Sequence, residues 1–187
     1  MNKNNECVLY NNYNASDYFW VYADNGKFLR KFGKPLQERK SGDQIKVIDF
    51  DEAGFIQYIP GKDGFWAAFR NRYDLRYYEK EKLMGEIRAK KGYFRWEEKE
   101  VMMNVKRKHY IDCPKYLAGN GNCLFYFFKK DDHIFCDLFN MEDYRLFRRV
   151  RLRMDYRSIA HYKDNIFYSL AYDDNEERDV LLFKIEF

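Results

Sequence analysis

Apolar and polar residues alternate with a period of two along most of this chain, which is the pattern of β-strands with one buried face. The clearest case is residues 180–187, where every second residue from Leu181 to Phe187 is apolar. Between turn-forming residues, the pattern predicts strands at residues 18–22, 27–32, 45–50, 55–59, 65–69, 73–78, 82–87, 123–128, 134–139, 144–154, 158–162, 166–171 and 180–187.

One stretch, residues 79–108, has no clear period. It is rich in Glu, Lys, Arg and Met, which favour helices. Some of its apolar residues could line one face of a helix, but Gly85 and Gly92 interrupt that pattern. The alternatives are a helix, or a long excursion or degenerate hairpin, and the strands elsewhere favour the second. The sequence assigns no role to residues 88–115.

A short repeat sets the expected architecture. An aromatic strand, a Lys-Asp turn and a second aromatic strand occur at residues 58–66, 127–135 and 161–167, and a degenerate fourth unit is expected near Glu97. Lys130 and Lys163 lie 33 residues apart, which suggests a modular chain. Because a single hairpin cannot bury its own apolar face, repeated hairpins must stack. We therefore predict an all-β, β-propeller-like fold of about four antiparallel blades in one domain, residues 1–187.

Composition and charge agree with this fold and exclude few functions. Aromatic residues make up 20% of the 187 residues, and strands favour such side chains. The net charge of +4 is too small to indicate a class of partner unless it is clustered. The N-terminal segment shows no signal peptide, and the longest apolar run, residues 124–128, is too short to cross a bilayer. We expect no membrane span.

The chain lacks the motifs of the common enzyme classes. It has no Gly-x-Ser-x-Gly elbow, no His-Glu-x-x-His and no phosphate-binding loop, so we predict no catalytic residue and no cofactor. The segment Gly119-Asn120-Gly121 is interpreted as a turn. Aspartates such as Asp131 and Asp132 sit at turns, where they favour local hydrogen bonds. A carbohydrate-active hydrolase or lyase using carboxylates at a propeller mouth is the alternative function.

The histidines and cysteines decide whether the chain could hold a metal ion. The candidate ligands are His109, Cys113, Cys123, His133, Cys136 and His161. No Cys-x-x-Cys pair exists, and residues three apart on a strand face opposite ways, so His133 and Cys136 cannot reach the same ion. We predict no metal site and expect free, buried thiols.

Two clusters have the composition of binding surfaces. Residues 144–154 place arginines such as Arg149 on one strand face, a comb that could bind phosphate, but a solvated strand edge explains it better. We therefore do not expect nucleic acid as a partner. The candidate ligand-binding residues are Trp66, Arg70, Arg72 and Tyr73, which could form a platform for a sugar or peptide. Core packing between sheets is the alternative use of these aromatic rings.

Part of the chain resembles a known family. Residues 18–33 contain Asp24-Asn25-Gly26-Lys27, an extended aliphatic segment and Gly33, and this resembles the outer half of an NHL-type propeller blade. Residues 64–78 and 82–87 resemble the other strands of a blade. The chain is similar to six-bladed NHL- or TolB-like β-propeller proteins of Bacteroides type. The resemblance implies a non-catalytic binding or scaffold module with a protein or carbohydrate partner, and a location in the cell envelope. It carries no catalytic residues.

The resemblance also bears on whether the ring of blades closes. Closure would pair residues 180–187 with a strand at residues 8–10. Because a six-bladed member needs more than 187 residues, we expect an incomplete ring. Such a ring exposes sheet edges at both ends and favours self-association.

Overall fold

The computed structural model describes residues 5–10, 19–33, 54–58, 63–69, 72–90, 92–102, 105–152, 158–172 and 178–186. These residues form strands and turns, and among them no helix has the length and apolarity needed to cross a membrane. The strands, in chain order, are β1 (Cys7–Tyr10), β2 (Phe19–Tyr22), β3 (Phe28–Phe32), β4 (Gly54–Tyr58), β5 (Gly64–Phe69), β6 (Asp74–Glu79), β7 (Lys82–Arg88), β8 (Trp96–Met102), β9 (Val105–Tyr110), β10 (Cys113–Gly119), β11 (Cys123–Lys130), β12 (His133–Asn140), β13 (Leu146–Arg151), β14 (Ser158–Lys163), β15 (Ile166–Tyr172) and β16 (Arg178–Lys184).

The strands form four antiparallel up-and-down sheets and one separate hairpin. We call the sheets blade 1 (β1–β3), blade 2 (β4–β7), blade 3 (β10–β13) and blade 4 (β14–β16), and β8 and β9 form the hairpin between blades 2 and 3. Tight turns join neighbouring strands, as at Asp131 and Asp132, which have φ values of 49° and 61°. Aspartate tolerates this left-handed region, which two-residue hairpin turns require.

The blades lie side by side through their first strands. Strand β10 lies against both β4 and β14. The backbone N–H of Val8 in β1 donates to the Tyr58 hydroxyl at the end of β4, at 3.1 Å. The N–H of His161 in β14 donates in the same way to the Tyr116 hydroxyl in β10, at 3.2 Å. The fold is all-β and propeller-like, as the sequence predicted.

Three apolar cores fill the spaces between blades. Strand β11 is buried on both faces: Leu124, Tyr126 and Phe128 pack against blade 2, whereas the alternate residues, such as Phe125 and Phe127, pack against blade 4. The core between blades 1 and 2 contains Phe19, Phe65, Ala67, Phe69 and Tyr78. A middle strand of a blade is therefore apolar at nearly every position rather than at alternate ones.

The predicted strands were found wherever the structure describes their residues, apart from their ends, and the strand at residues 45–50 lies outside the described residues. Strand β10, which contains Pro114, was not among the predicted strands. Proline is tolerated here since β10 is the first strand of its sheet, and the pairing with β11 is irregular between Pro114 and Tyr116. In residues 79–108 the structure shows β7 and then the hairpin β8–β9, so the hairpin alternative is confirmed.

The prediction of a strand over residues 144–154 with a buried apolar face was wrong in two respects. Tyr144 is not in the strand; it lies in a turn with φ of 59° and packs edge-on against Trp66, with ring centroids 5.2 Å apart. Leu146 is 46% exposed because β13 is the outermost strand of blade 3. The last strand also ends earlier than predicted, at Lys184, although the N–H of Ile185 still donates to the carbonyl of Asn165.

The two Lys-Asp copies that the structure describes in full are not equivalent parts of a blade. The turn after Lys130 joins the second and third strands of blade 3, whereas the turn after Lys163 joins the first and second strands of blade 4. Lys62 lies outside the described residues. Every tight antiparallel turn favours the same residue types, so the repeat marks turns in general rather than one position in a blade.

Candidate functional site

The predicted ligand platform lies mostly inside the molecule. Trp66 is 0% exposed and stacks on Tyr77 with ring centroids 5.5 Å apart, and Tyr73 is 7% exposed. The guanidinium of Arg72 lies 5.8 Å from the ring centroid of Phe69, and Arg70 lies outside the described residues. The two aromatic rings belong to the core between blades 2 and 3. A ligand-binding role for the four residues stays a prediction.

Tyr73 belongs to a buried polar cluster with Asp137 and Arg149. The Tyr73 hydroxyl donates to Asp137, and Arg149 donates two hydrogen bonds of 2.6 Å to the same carboxylate, which is fully buried. Burial, and then the negative charge of Asp137, raise the pKa of Tyr73 above its ordinary value. The negative charge of Asp137 is therefore balanced by Arg149, and its oxygens accept hydrogen bonds from within the protein.

The two other buried carboxylates of the described residues are also held by arginines. Asp74 pairs with the buried Arg76 at 3.3 Å. Asp112 accepts the backbone N–H, Nε and Nη2 of Arg95 at 2.9, 3.0 and 3.1 Å, and the N–H of Asp131 at 3.0 Å. Burial alone would raise the pKa of Asp112, but the hydrogen bonds from Arg95 and Asp131 outweigh it and lower that pKa. Both carboxylates are therefore engaged in ion pairs and hydrogen bonds that hold the fold together.

The candidate metal ligands are dispersed in the structure. Cys136 faces the core between blades 3 and 4, and burial raises the pKa of its thiol well above the ordinary value. His133 lies on the other face of β12, with its Nε2 2.8 Å from a guanidinium nitrogen of Arg151. All four cysteines are unpaired, and no cluster of three potential metal ligands occurs within the described ranges.

An open cavity at one end of blade 3 is the strongest candidate for a binding site. Its volume is about 360 Å³, and it is lined by Asn120, Asn122, Cys123, Asn140 and Phe147. The β10–β11 turn supplies Asn120 and Asn122, the start of β11 supplies Cys123, and the end of β12 and the strand β13 supply the others. The strands of blade 3 run antiparallel, so the β10–β11 and β12–β13 turns lie at one end of the blade. The β11–β12 turn and the hairpin β8–β9 lie at the other end. We call this cavity the amide cavity.

The two turns fix how the asparagine side chains point. Asn120 Oδ1 accepts the backbone N–H groups of Asn122 and Cys123 at 3.2 and 2.9 Å. Asn140 Oδ1 accepts the N–H of Glu142 at 2.8 Å. The N–H of Met141 donates to the carbonyl of Asn122 at 3.0 Å and joins the two turns.

These bonds determine which atoms remain for a ligand. A backbone N–H can only donate, so the side-chain atom that faces it must be the amide oxygen of asparagine. The oxygens of Asn120 and Asn140 are therefore used inside the turns, and their Nδ2 groups remain as donors. Asn122 adds a complete amide, which can donate and accept.

The rest of the amide cavity is apolar and uncharged. Phe147, which is 49% exposed, contributes an aromatic ring to the lining. Burial raises the pKa of the Cys123 thiol to about 12, so it stays neutral near pH 7. None of the described lining residues is charged. The cavity thus offers amide donors beside one aromatic ring.

Sequence reasoning missed this site. The segment Gly119-Asn120-Gly121 was correctly interpreted as a turn, but Asn140 lies 20 residues further along the chain, and no local pattern connects them. The usable signal was the pairing of β11 with β12, which sets Cys123 opposite Asn140 and so brings the two asparagine turns together.

Comparisons with known proteins add little about function. No protein-family model and no curated protein sequence matches the chain. Among solved structures, the chain is similar to the β-propeller domain of Cps50 (Swd1) from Myceliophteria thermophila, at 7% sequence identity and a TM-score of 0.36. The similarity covers 95% of this chain and 68% of that one. The assignment of the fold rests on the strands, sheets and cores of the chain itself.

Proposed function

We propose that residues 1–187 act as one non-catalytic binding domain whose ligand is a neutral carbohydrate held in the amide cavity. The observation that carries the proposal is the combination of asparagine amides and the exposed ring of Phe147 around one cavity. Sugar hydroxyls accept hydrogen bonds from amide N–H groups, and the apolar face of a sugar ring packs against an aromatic ring. A neutral ligand fits because the lining residues within the described ranges carry no charge.

The carboxylates favour binding over hydrolysis. Glycoside hydrolysis ordinarily needs two carboxyl groups that flank the scissile bond, one as an acid and one as a base or nucleophile. No carboxylate is among the described residues that line the amide cavity. The buried carboxylates Asp74, Asp112 and Asp137 are each paired with an arginine. This arrangement supports a module that holds a sugar without cleaving it.

The arginines in and next to β13 do not favour a nucleic-acid function. Arg149 is engaged by Asp137, Arg145 lies 3.7 Å from Asp143, and Arg151 contacts His133. A phosphate-binding comb would instead present several guanidinium groups together to the ligand. We keep nucleic acid outside the proposed partners.

The NHL-type assignment is also part of the proposal. It is supported by the turn between β2 and β3, where Gly26 has φ of 79° and its N–H donates to the carbonyl of Ala23 at 3.0 Å. Glycine adopts this left-handed backbone without strain. The blades are proposed to be of the kind found in six-bladed Bacteroides-type proteins.

We further propose that a second copy of the chain covers the outer faces of blades 1 and 4. The outer face of blade 1 carries Leu9 and Phe28, and that of blade 4 carries Val180 and Leu182, all of which are largely exposed. The faces buried between blades are apolar in the same way. Apolar sheet faces of this kind favour association.

Affinity electrophoresis in gels that contain neutral polysaccharides tests carbohydrate binding. We expect at least one polysaccharide to retard the protein, and Phe147→Ala and Asn122→Ala to abolish the retardation. Tyr162→Ala is the matched control, because Tyr162 is an aromatic residue that is 61% exposed but lies in β14, outside the cavity. Asn122 is preferred over Asn120 because its side chain does not hold a turn. Equal retardation of Phe147→Ala and the unaltered protein would contradict the proposal.

A further inference from the structure

The side chains of the amide cavity offer more hydrogen-bond donors than acceptors. The Nδ2 groups of Asn120 and Asn140 keep their donors, whereas their oxygens accept backbone N–H groups inside the two turns. Among the described residues of the lining, only Asn122 keeps an amide oxygen outside these turns. A ligand that fits therefore presents a strong acceptor to the asparagines and one donor to Asn122.

The side-chain amide of Asn122 extends from a fixed backbone. The N–H of Asn122 donates to Asn120 Oδ1 at 3.2 Å, and its carbonyl accepts the N–H of Met141 at 3.0 Å. A side-chain amide carries a donor and an acceptor side by side, so a second amide in the opposite orientation matches it through two hydrogen bonds. Two neighbouring hydroxyls can supply the same pair of bonds, so the choice between these ligands depends on the apolar part of the cavity.

A β-bulge supplies the aromatic ring of the cavity. Leu138 and Phe139 are neighbours on β12. Their register partners on β13 are Arg148 and Leu146, which lie two residues apart, so Phe147 is the extra residue of the bulge. Bulges redirect a side chain and are frequent beside functional sites. Because Phe147 belongs to the lining, the cavity offers an aromatic contact to an apolar group of the ligand.

We propose that the sugar held in the amide cavity carries an acetamido group. Its carbonyl oxygen accepts the asparagine N–H groups, its N–H donates to Asn122 Oδ1, and its methyl group packs against Phe147. This proposal rests on the carbohydrate function proposed above. One substituent then supplies the strong acceptor, the donor and the apolar surface that match the lining, whereas a hydroxyl supplies no apolar surface.

The same lining disfavours an amino sugar. Removing the acetyl group leaves an ammonium group, which has no acceptor and carries a positive charge. No carboxylate is among the described residues that line the cavity, so this charge would stay unpaired. The expected order of affinity is therefore the acetamido sugar, then the hydroxyl sugar, then the amino sugar.

Isothermal titration calorimetry of the full chain with three β-1,4-linked trisaccharides tests this order. They are built from N-acetylglucosamine, glucose and glucosamine, so their rings and linkages are the same and only the group on carbon 2 differs. At about pH 6 the amines are protonated. We expect the acetamido trisaccharide to bind about tenfold or more tightly than the glucose trisaccharide, as for an added apolar group in an apolar site. The glucosamine trisaccharide should bind most weakly.

Asn122→Asp should reverse the preference, because its carboxylate repels the acetamido carbonyl and pairs with an ammonium group. The charge-matched control is Asn25→Asp. The Oδ1 of Asn25 accepts the N–H of Lys27 in the β2–β3 turn, which an aspartate also does, so this variant should keep the original order.

Two kinds of failure are distinguishable. A glucose trisaccharide that binds as tightly as the acetamido one, an unchanged order in Asn122→Asp, or an acetamido trisaccharide that fails to bind while a polysaccharide still retards the protein would overturn the acetamido assignment alone. Absence of binding to every trisaccharide and every polysaccharide would overturn the proposed function as well.

Discussion

Replacing Asp112 is the sharpest perturbation of the fold, because its buried carboxylate joins Arg95, at the base of the hairpin β8–β9, to Asp131 in the β11–β12 turn. We call these three residues the hairpin clamp. It accepts two backbone N–H groups, from Arg95 and Asp131, and two side-chain N–H groups from Arg95. Asp112→Ala removes both carboxylate oxygens and so the acceptor of all four hydrogen bonds. Asp112→Asn keeps the shape and one oxygen but loses the charge.

The cost can be worked out from the donors left without an acceptor. A buried donor without a partner costs about 1–3 kcal/mol. Two backbone donors are affected, but the bonds are only partly buried, so we expect Asp112→Ala to lower the free energy of unfolding by about 2–3 kcal/mol in total. Asp112→Asn should cost less. Arg95→Ala should cost the least of the three, because both backbone donors keep their carboxylate.

Urea unfolding followed by tryptophan fluorescence measures these differences, and hydrogen exchange in β8 and β9 reports on the hairpin itself. The predicted order of destabilisation is Asp112→Ala, then Asp112→Asn, then Arg95→Ala. If Arg95→Ala destabilised the protein as much as Asp112→Ala, the Arg95 side chain would be the essential part of the clamp, and the reasoning from backbone donors would be refuted.

The pH dependence gives a second check on Asp112. Its hydrogen bonds lower its pKa in the folded state below the ordinary value of 3.8. The stabilisation is therefore complete above that value and is lost as the pH falls through the lower, folded-state pKa. The unaltered protein should lose stability below about pH 4, and Asp112→Asn should lose less over the same range. An identical acid slope for both proteins would contradict this role.

Three other predictions follow from the cores and the outer faces. Trp66→Ala should cost about 3–5 kcal/mol in urea unfolding, since the ring is fully buried; Trp66→Phe should cost less, and an unchanged midpoint for Trp66→Ala would mean that the ring is not part of the core. Because the pKa of Tyr73 is raised, the unaltered protein should lose stability as the pH rises above about 10, and Tyr73→Phe should lose less; equal slopes would contradict the raised pKa. Light scattering should show self-association that Val180→Lys/Leu182→Lys abolishes, whereas a dilution-resistant monomer would refute association through the outer faces.

The sequence was most informative where an element needs only local signals. The turn at Asn25-Gly26 and the alternation around Phe65 and Phe69 predicted their strands well. Alternation could not show that Trp66 and Ala68, on the opposite face of β5, are buried too, because the second face is covered by another blade. Strand β10 was not predicted, and its Pro114 is acceptable because β10 is an edge strand with irregular pairing, which depends on the tertiary arrangement.

The candidate site was harder to predict for a related reason. Trp66 and Tyr73 have the composition of a binding platform, but rings that stack on a ligand and rings that fill a core are the same residue types. The amide cavity depends on two turns brought together by strand pairing, and each turn by itself looks like ordinary turn chemistry. The hairpin clamp likewise joins Arg95 to Asp112 across 17 residues.

Side-chain amide NMR tests the proposed carbohydrate site most directly. The measurement follows the Nδ2 resonances of Asn120, Asn122 and Asn140 while an oligosaccharide from the retarding polysaccharide is titrated into the protein. We predict that these three resonances shift together with a single dissociation constant, and that Phe147→Ala removes the shifts. Binding of the oligosaccharide with shifts confined to other residues, or shifts that persist in Phe147→Ala, would contradict the assignment of the amide cavity as the binding site.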